Sequence, residues 1–280
     1  MHPKNPFAED YDFDLLIEHK PELKDFVFVN EHGTKTIKFG NQEAVRALNS
    51  ALLKSQYDLD WSLPKGYLCP PVPGRLDYLL YASDLLEKED IRLLDIGTGA
   101  NLIYPMLGKR HFNWKCTGSE VESLSLDHAQ KIVDQNELLD DTDLRLQTNK
   151  NRIFENVIEA KDQFDLVVCN PPFFKNEQMA QKENQRKFKN LKLSESEKLN
   201  FGGKANELWF RGGEVAFIER MALESPQYKE QIHWFTSLVS RKENLKTIKR
   251  SIKKAGAKEI RVVEMGLGNK QSRFIAWTFK

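Results

Sequence analysis

The sequence predicts an α/β fold, a mainly parallel sheet with helices on both faces, preceded by a shorter N-terminal extension. Three observations predict it. From about Ile91 onward, short strand-like runs alternate with helical periodicity, the pattern that builds parallel sheets. A hydrophobic strand runs into Gly97-Thr98-Gly99, the kind of turn that opens a ligand site at the carboxyl end of a parallel strand. The last two strand candidates are joined only by a Gly-containing loop, too short for a parallel crossover, so they pair antiparallel.

In chain order, Asp25–Asn30 and Lys35–Phe39 read as short strands and Gln42–Lys54 as an amphipathic helix. Leu63–Arg75 is rich in Pro and Gly and poorly suited to helix. Asp77–Leu86 reads as a helix leading into the core. The core strands are Ile91–Ile96, Trp114–Val121, Asp143–Gln147, Phe164–Cys169, His233–Val239, Glu259–Glu264 and Arg273–Thr278. Helices are predicted at Ser123–Leu138, Glu214–Leu223 and Arg241–Ala255, the last stopped by Gly256. Asn176–Gly203 is polar and rich in Lys and Glu, which predicts a mobile loop beside whatever site lies next to it.

Composition excludes more than it selects. With 40% apolar and 30% charged residues the chain reads as an ordinary soluble protein. A net charge of +1 gives nucleic-acid binding no bulk support, so local clusters must carry any such claim. The candidates are Lys4, the stretch holding Lys182, Arg186, Lys187 and Lys189, and Lys109-Arg110-His111. Cys69, Cys116 and Cys169 lie too far apart for a zinc or redox motif, so no metal is expected. The chain shows neither a signal peptide nor an apolar run of membrane-spanning length, which predicts a cytoplasmic protein. No obligate protein partner is evident.

Three motifs carry chemistry. Asp95-Ile96-Gly97-Thr98-Gly99-Ala100-Asn101 lets a ligand approach the backbone closely, but it lacks the later glycine of a dinucleotide fingerprint. Alone it is a weak signal. Glu120 ends the next strand, where an acidic side chain can accept two ribose hydroxyls; this supports a bound nucleoside without choosing among cofactors. Asp95 either orients the glycine loop or contacts an amino group of the ligand.

The discriminating motif is Asn170-Pro171-Pro172-Phe173, at the end of an apolar strand. Methylating an exocyclic amine requires its lone pair to be withdrawn from the ring as the nitrogen attacks. The Asn170 side-chain carbonyl and the Pro171 backbone carbonyl can accept the two amine hydrogens and do this. The prolines fix the backbone, and Phe173 offers a face for a planar base. Beside a nucleoside-type constellation, this points to S-adenosylmethionine as methyl donor. A sulfonium donor needs no general base, so no histidine is assigned a catalytic role. The residues alone leave the amine open among adenine N6, guanine N2 and a glutamine amide. A dehydrogenase and a catalytically idle RNA-binding scaffold are the readings from other classes.

The chain resembles the ribosomal RNA adenine-N6-methyltransferases that modify adenine-1618 of 23S rRNA, a family with eukaryotic relatives acting on spliceosomal and messenger RNA hairpins. The resemblance rests on His2-Pro3-Lys4-Asn5-Pro6, Tyr11-Asp12-Phe13, Glu43–Asn49, Gly66–Arg75, Asp95–Asn101, Gly118-Ser119-Glu120-Val121 and Asn170–Phe174. It implies the class I S-adenosylmethionine-dependent methyltransferase fold, a Rossmann-like seven-stranded sheet ending in an antiparallel hairpin. It also implies that Arg75 holds the methionine carboxylate, that Gly97 and Asn101 line the cofactor loop, in which Asp95, Thr98 and Gly99 are further cofactor-binding candidates, that Glu120 holds the ribose, and that Asn170–Phe173 hold the target adenine. The implied partner is 23S rRNA or a large-subunit assembly intermediate. Residues 1–75 are then expected to be an RNA-binding extension and 76–280 the methyltransferase domain. An adenine in a paired stem cannot reach such a pocket, so the target is unpaired or flipped out.

Overall fold

The structure, a computed structural model, describes residues 1–176, 178–179, 209–267 and 270–280. Nearly all of the polar 176–203 segment, with Lys182, Arg186, Lys187 and Lys189, lies outside the described residues. Among the described residues, no helix is long and apolar enough to cross a membrane.

A two-stranded hairpin, β1 (Val27–Val29) and β2 (Lys35–Ile37), belongs to the N-terminal region. The central sheet contains β3 (Arg92–Ile96), β4 (Lys115–Glu120), β5 (Thr142–Leu146), β6 (Phe164–Cys169), β7 (Ile232–Leu238), β8 (Glu259–Leu267) and β9 (Lys270–Thr278). Its order is β5-β4-β3-β6-β7-β9-β8. β9 runs antiparallel to both neighbours and the other pairings are parallel, the predicted class I methyltransferase arrangement. The order reverses between β4 and β6, on either side of β3, which creates a crevice at the strands' carboxyl ends.

Alternation along the strands builds two cores. Leu93, Leu166, Trp234 and Phe274 face one side; their neighbours Leu94, Val167, Phe235 and Ile275 face the other. The first side is covered by α2 (Gln42–Tyr57), α3 (Val72–Ser83), α4 (Ile103–Phe112) and α5 (Ser123–Gln135). The second side is covered by α6 (Gly213–Glu224) and α7 (Leu245–Lys254).

Two readings of the N-terminal third are corrected. α1 (Phe13–His19) was not foreseen, because seven residues give little periodicity; Phe13 and Leu16 are buried in the same cluster as Leu93. The end of the Pro-rich segment is helical: α3 begins at Val72 with Pro73 in its first turn. The first N–H groups of a helix have no internal partner, so proline there loses no hydrogen bond. The boundary drawn at residue 75 therefore falls inside a helix.

The extreme N-terminus is tied to that helix. Asp77, 2% exposed, accepts hydrogen bonds through Oδ1 from the His2 backbone N–H at 2.6 Å and from Asn5 Nδ2 at 3.1 Å. Asn5 Nδ2 also donates to Pro73 O, and Phe7 follows into the core. Asp77→Ala strands these buried donors and should cost about 2–4 kcal/mol, lowering the thermal midpoint by roughly 5–10 °C. Thermal unfolding checks this; an unchanged midpoint would mean the N-terminal segment is held by other contacts.

Candidate functional site

The carboxyl ends of β3, β4 and β6 open into one cavity of about 320 Å³. Gly97, Gly99, Asn101, Glu120, Asn170 and Pro172 all line it. Thus the glycine loop, the acidic strand end and the Asn-Pro-Pro segment meet in space. Among the described residues, no cluster of His, Cys, Asp and Glu could hold a metal ion.

The glycine loop is shaped by its backbone. Gly97 and Gly99 have φ of 74° and 62°, a region costly for side chains with a Cβ. The Gly97 and Thr98 N–H groups both donate to Ser119 O at 2.9 Å, stitching the loop to β4. A Cβ at Gly97 would meet nothing within 4 Å, so open space borders the loop there. From behind, Trp61 Nε1 donates to Asn101 O and His128 Nδ1 lies 2.8 Å from Ala100 O.

Glu120 is buried, and its carboxylate is already engaged. Oε2 accepts from Gly99 N at 3.0 Å; Oε1 accepts from Val121 N at 2.7 Å and Glu122 N at 3.1 Å. A carboxylate offers about four acceptor directions, so roughly one is left rather than the two expected for ribose. Burial raises its pKa, and the three N–H groups oppose the rise.

Asp95 is fully buried, and neither carboxylate oxygen has a hydrogen-bond partner among the described residues. Burial pushes its pKa up to about 7. Thr98 eases the shift without closing a hydrogen bond, the Glu120 charge adds to it, and the Arg75 charge opposes it. Arg75, in the first turns of α3, does not line the cavity. Its Nη1 donates to Tyr104 Oη at 3.1 Å, and its guanidinium sits 5.8 Å from that ring's centroid.

At the end of β6, Asn170 Oδ1 is buried without a partner among the described residues. Pro171 is buried and Pro172 lines the cavity. Phe173 is 36% exposed and is not part of the lining. The preceding Cys169 N–H donates to Tyr78 Oη at 3.4 Å, and that hydroxyl also meets Thr236 Oγ1 at 2.6 Å. Tyr78, on α3, thus pins the strand end beside Asn170.

Sequence reasoning missed several wall residues. Trp209, Phe210, Arg211 and Phe217 line the cavity because the chain returns to pair with the Asn-Pro-Pro-Phe segment. Phe174 bridges Trp209, and the Phe210 N–H donates to Phe174 O at 3.0 Å. Gly213 has φ of 72°, and an added Cβ there would approach Phe173 O at 3.3 Å. The adjacent glycines after Trp209-Phe210-Arg211 were the available signal: both hold positive φ, 92° and 72°, and Gly213 lies close against the Phe173 carbonyl. Lys150, Asn151 and Arg152 also reach the cavity, on a turn held by Gln147 donating to Ile153 O and Glu155 O. Leu68 lines it from the Pro-rich segment, which Arg46 and Asn49 of α2 hold through Tyr67 O and Pro70 O. Lys4 is exposed and does not line the cavity.

Residues 1–280 match a family described as RNA methyltransferase. The chain is 48% identical over 285 residues to ribosomal RNA large subunit methyltransferase F of Christiangramia forsetii, covering 100% of both. It is 45% identical over 293 residues to the protein of the same name from Pseudomonas putida strain GB-1, covering 100% of this chain and 93% of that one. Among solved structures, it superposes on the hMettl16 catalytic domain in complex with MAT2A 3'UTR hairpin 1 with a TM-score of 0.86 and 31% identity, covering 100% and 96%. The N-terminal domain of human METTL16 in complex with SAH gives a TM-score of 0.81 at 27% identity, covering 100% and 99%.

Asp95 yields a pH prediction. Its folded pKa, about 7, lies above its ordinary value of 3.8, so the stability it allows is fully present below about pH 4 and is lost as pH rises toward 7. Asp95→Asn removes that loss. The midpoint of the variant relative to the ligand-free parent should climb between pH 4 and 7 and level off above. A pH-independent difference in thermal unfolding would contradict a buried, unpaired Asp95.

Proposed function

The chain belongs to the RNA methyltransferase family that matches residues 1–280, and on that premise we propose that it methylates N6 of an adenine in 23S rRNA, adenine-1618 being the position its family resemblance names. The observation that carries the choice of chemistry is Asn170 Oδ1, an acceptor buried without a partner among the described residues, beside two prolines at the cavity wall. Such a group costs about 1–3 kcal/mol until a donor arrives, and an amine hydrogen is that donor.

The cavity suits S-adenosylmethionine. Open space borders Gly97, and behind the loop the Asp95 carboxylate is buried without a hydrogen-bond partner among the described residues, with the Arg75 charge nearby. Gly97, Gly99 and Asn101 would hold it along the loop and Glu120 would use its remaining acceptor direction on ribose, while Asp95, Thr98 and Arg75, which do not line the cavity, are proposed to support its amino-acid end from behind the loop. When bound, it supplies an activated sulfonium methyl group. The chain's own part is positioning. Asn170 Oδ1 and the Pro171 carbonyl accept the two amine hydrogens, which turns the nitrogen lone pair toward the methyl. Phe173, exposed at the end of this segment, offers its ring to the base. The amine proton is released after transfer, so no residue is needed to remove it first. Residues 1–75, with Lys4, and the 176–203 segment are proposed to hold the RNA around the cavity.

The test is methyl transfer to RNA oligonucleotides carrying one adenine, against oligonucleotides with guanine as the only purine. Adenine alone should be methylated. Asn170→Ala should lower kcat by about 10²–10³-fold, as losing one preorganised polar group does elsewhere, while affinity for S-adenosylhomocysteine is retained. Transfer to guanine, or near-normal turnover in the variant, would refute the assignment.

A further inference from the structure

We propose that Trp209 reads the target base: its indole N–H donates a hydrogen bond to a ring nitrogen flanking the amine that Asn170 holds. This rests on the adenine reading above and adds a residue to it.

Two buried polar atoms on the wall of this cavity lack partners among the described residues. One is an acceptor, Asn170 Oδ1; the other is a donor, Trp209 Nε1. The Phe174–Trp209 bridge brings the tryptophan back to the chain just beyond Asn170, at the Asn-Pro-Pro-Phe end of the cavity. An indole nitrogen can only donate. A fold that leaves such a donor buried and unpaired is destabilised until an acceptor meets it.

Acceptor and donor on one wall complement a ligand edge with a donor beside an acceptor. Adenine has that edge on both sides of its amine, since N6 is flanked by N1 and N7, each bearing a lone pair and no hydrogen. Guanine's exocyclic N2 has the N1–H on one side and the acceptor N3 on the other, so guanine meets the pair in one orientation only, whereas adenine offers an acceptor on either side. Both protein atoms are closed off from solvent here, so an entering base displaces wall side chains to reach them. Satisfying the two groups together offsets that displacement, and only a base with the right edge gains it. Trp209 is therefore a specificity residue of the same reaction, distinct from Asn170, which holds the reacting nitrogen.

Single-target RNA oligonucleotides carrying adenosine, 1-deazaadenosine or 7-deazaadenosine provide the probe. With the parent enzyme, one of the two analogues should lower kcat/KM by about ten- to hundredfold, and the other should be methylated nearly as well as adenosine. Trp209→Phe should lose a similar factor with adenosine and nothing further with the sensitive analogue, while binding S-adenosylhomocysteine as the parent does. Equal rates for both analogues and adenosine in the parent would overturn the inference without any variant. So would a Trp209→Phe enzyme that still discriminates as the parent does. Failure of the parent to methylate adenosine at all would remove the adenine reading itself, which separates the two outcomes.

Discussion

At the end of β6 the side-chain carbonyl of Asn170 is buried with no donor among the described residues, and the surrounding architecture is arranged to keep it so. A free asparagine would turn toward the nearest N–H. Here the next two residues are prolines, which supply no N–H and fix φ. The strand end is anchored by Cys169 N–H on Tyr78 Oη, and Gly213 packs against the Phe173 carbonyl. Backbone and neighbours therefore set the orientation before any ligand is present, which is what preorganised electrostatic catalysis requires.

The N-terminal third supports this edge from behind. Asp77 ties His2 and Asn5 to α3, the helix that carries both Tyr78 and Arg75. Arg46 and Asn49 hold the Pro-rich segment that brings Leu68 to the cavity, and Trp61 fastens the glycine loop at Asn101. At the end of α5 the Asn136 side-chain amide clasps the backbone of Asp60, Oδ1 accepting from the Asp60 N–H and Nδ2 donating to the Asp60 carbonyl. These contacts are long in sequence and short in space. Their effect is one continuous core from Phe7 to Phe274, in which a change near the chain start is felt at the site.

Periodicity made the sheet legible, since the central strands β3, β6 and β7 are buried along nearly their whole length and read as apolar runs between turns. Helix α3 was read too short because a proline-rich composition hides the one place where proline costs a helix nothing. The glycine loop, Glu120 and Asn170 converge as their spacing suggested. What spacing could not reveal is which hydrogen-bonding capacity is already used: three backbone N–H groups occupy Glu120. It also could not show that Arg75 lies beside Tyr104 rather than on the cavity wall, nor that Trp209 returns across a long separation to meet Phe174. Those are tertiary facts with no local signature beyond a pair of glycines.

The central claim is that an amide carbonyl buried without a partner among the described residues holds the amine to be methylated, which we propose to be adenine N6 in 23S rRNA. Mass mapping of modified nucleotides tests it most directly, in rRNA from cells with the gene, without it, and with Asn170→Ala in its place. The account predicts one N6-methyladenosine in 23S rRNA that is present only with the parent gene. Identical maps in all three, or a gene-dependent methyl group on guanine N2, would contradict it.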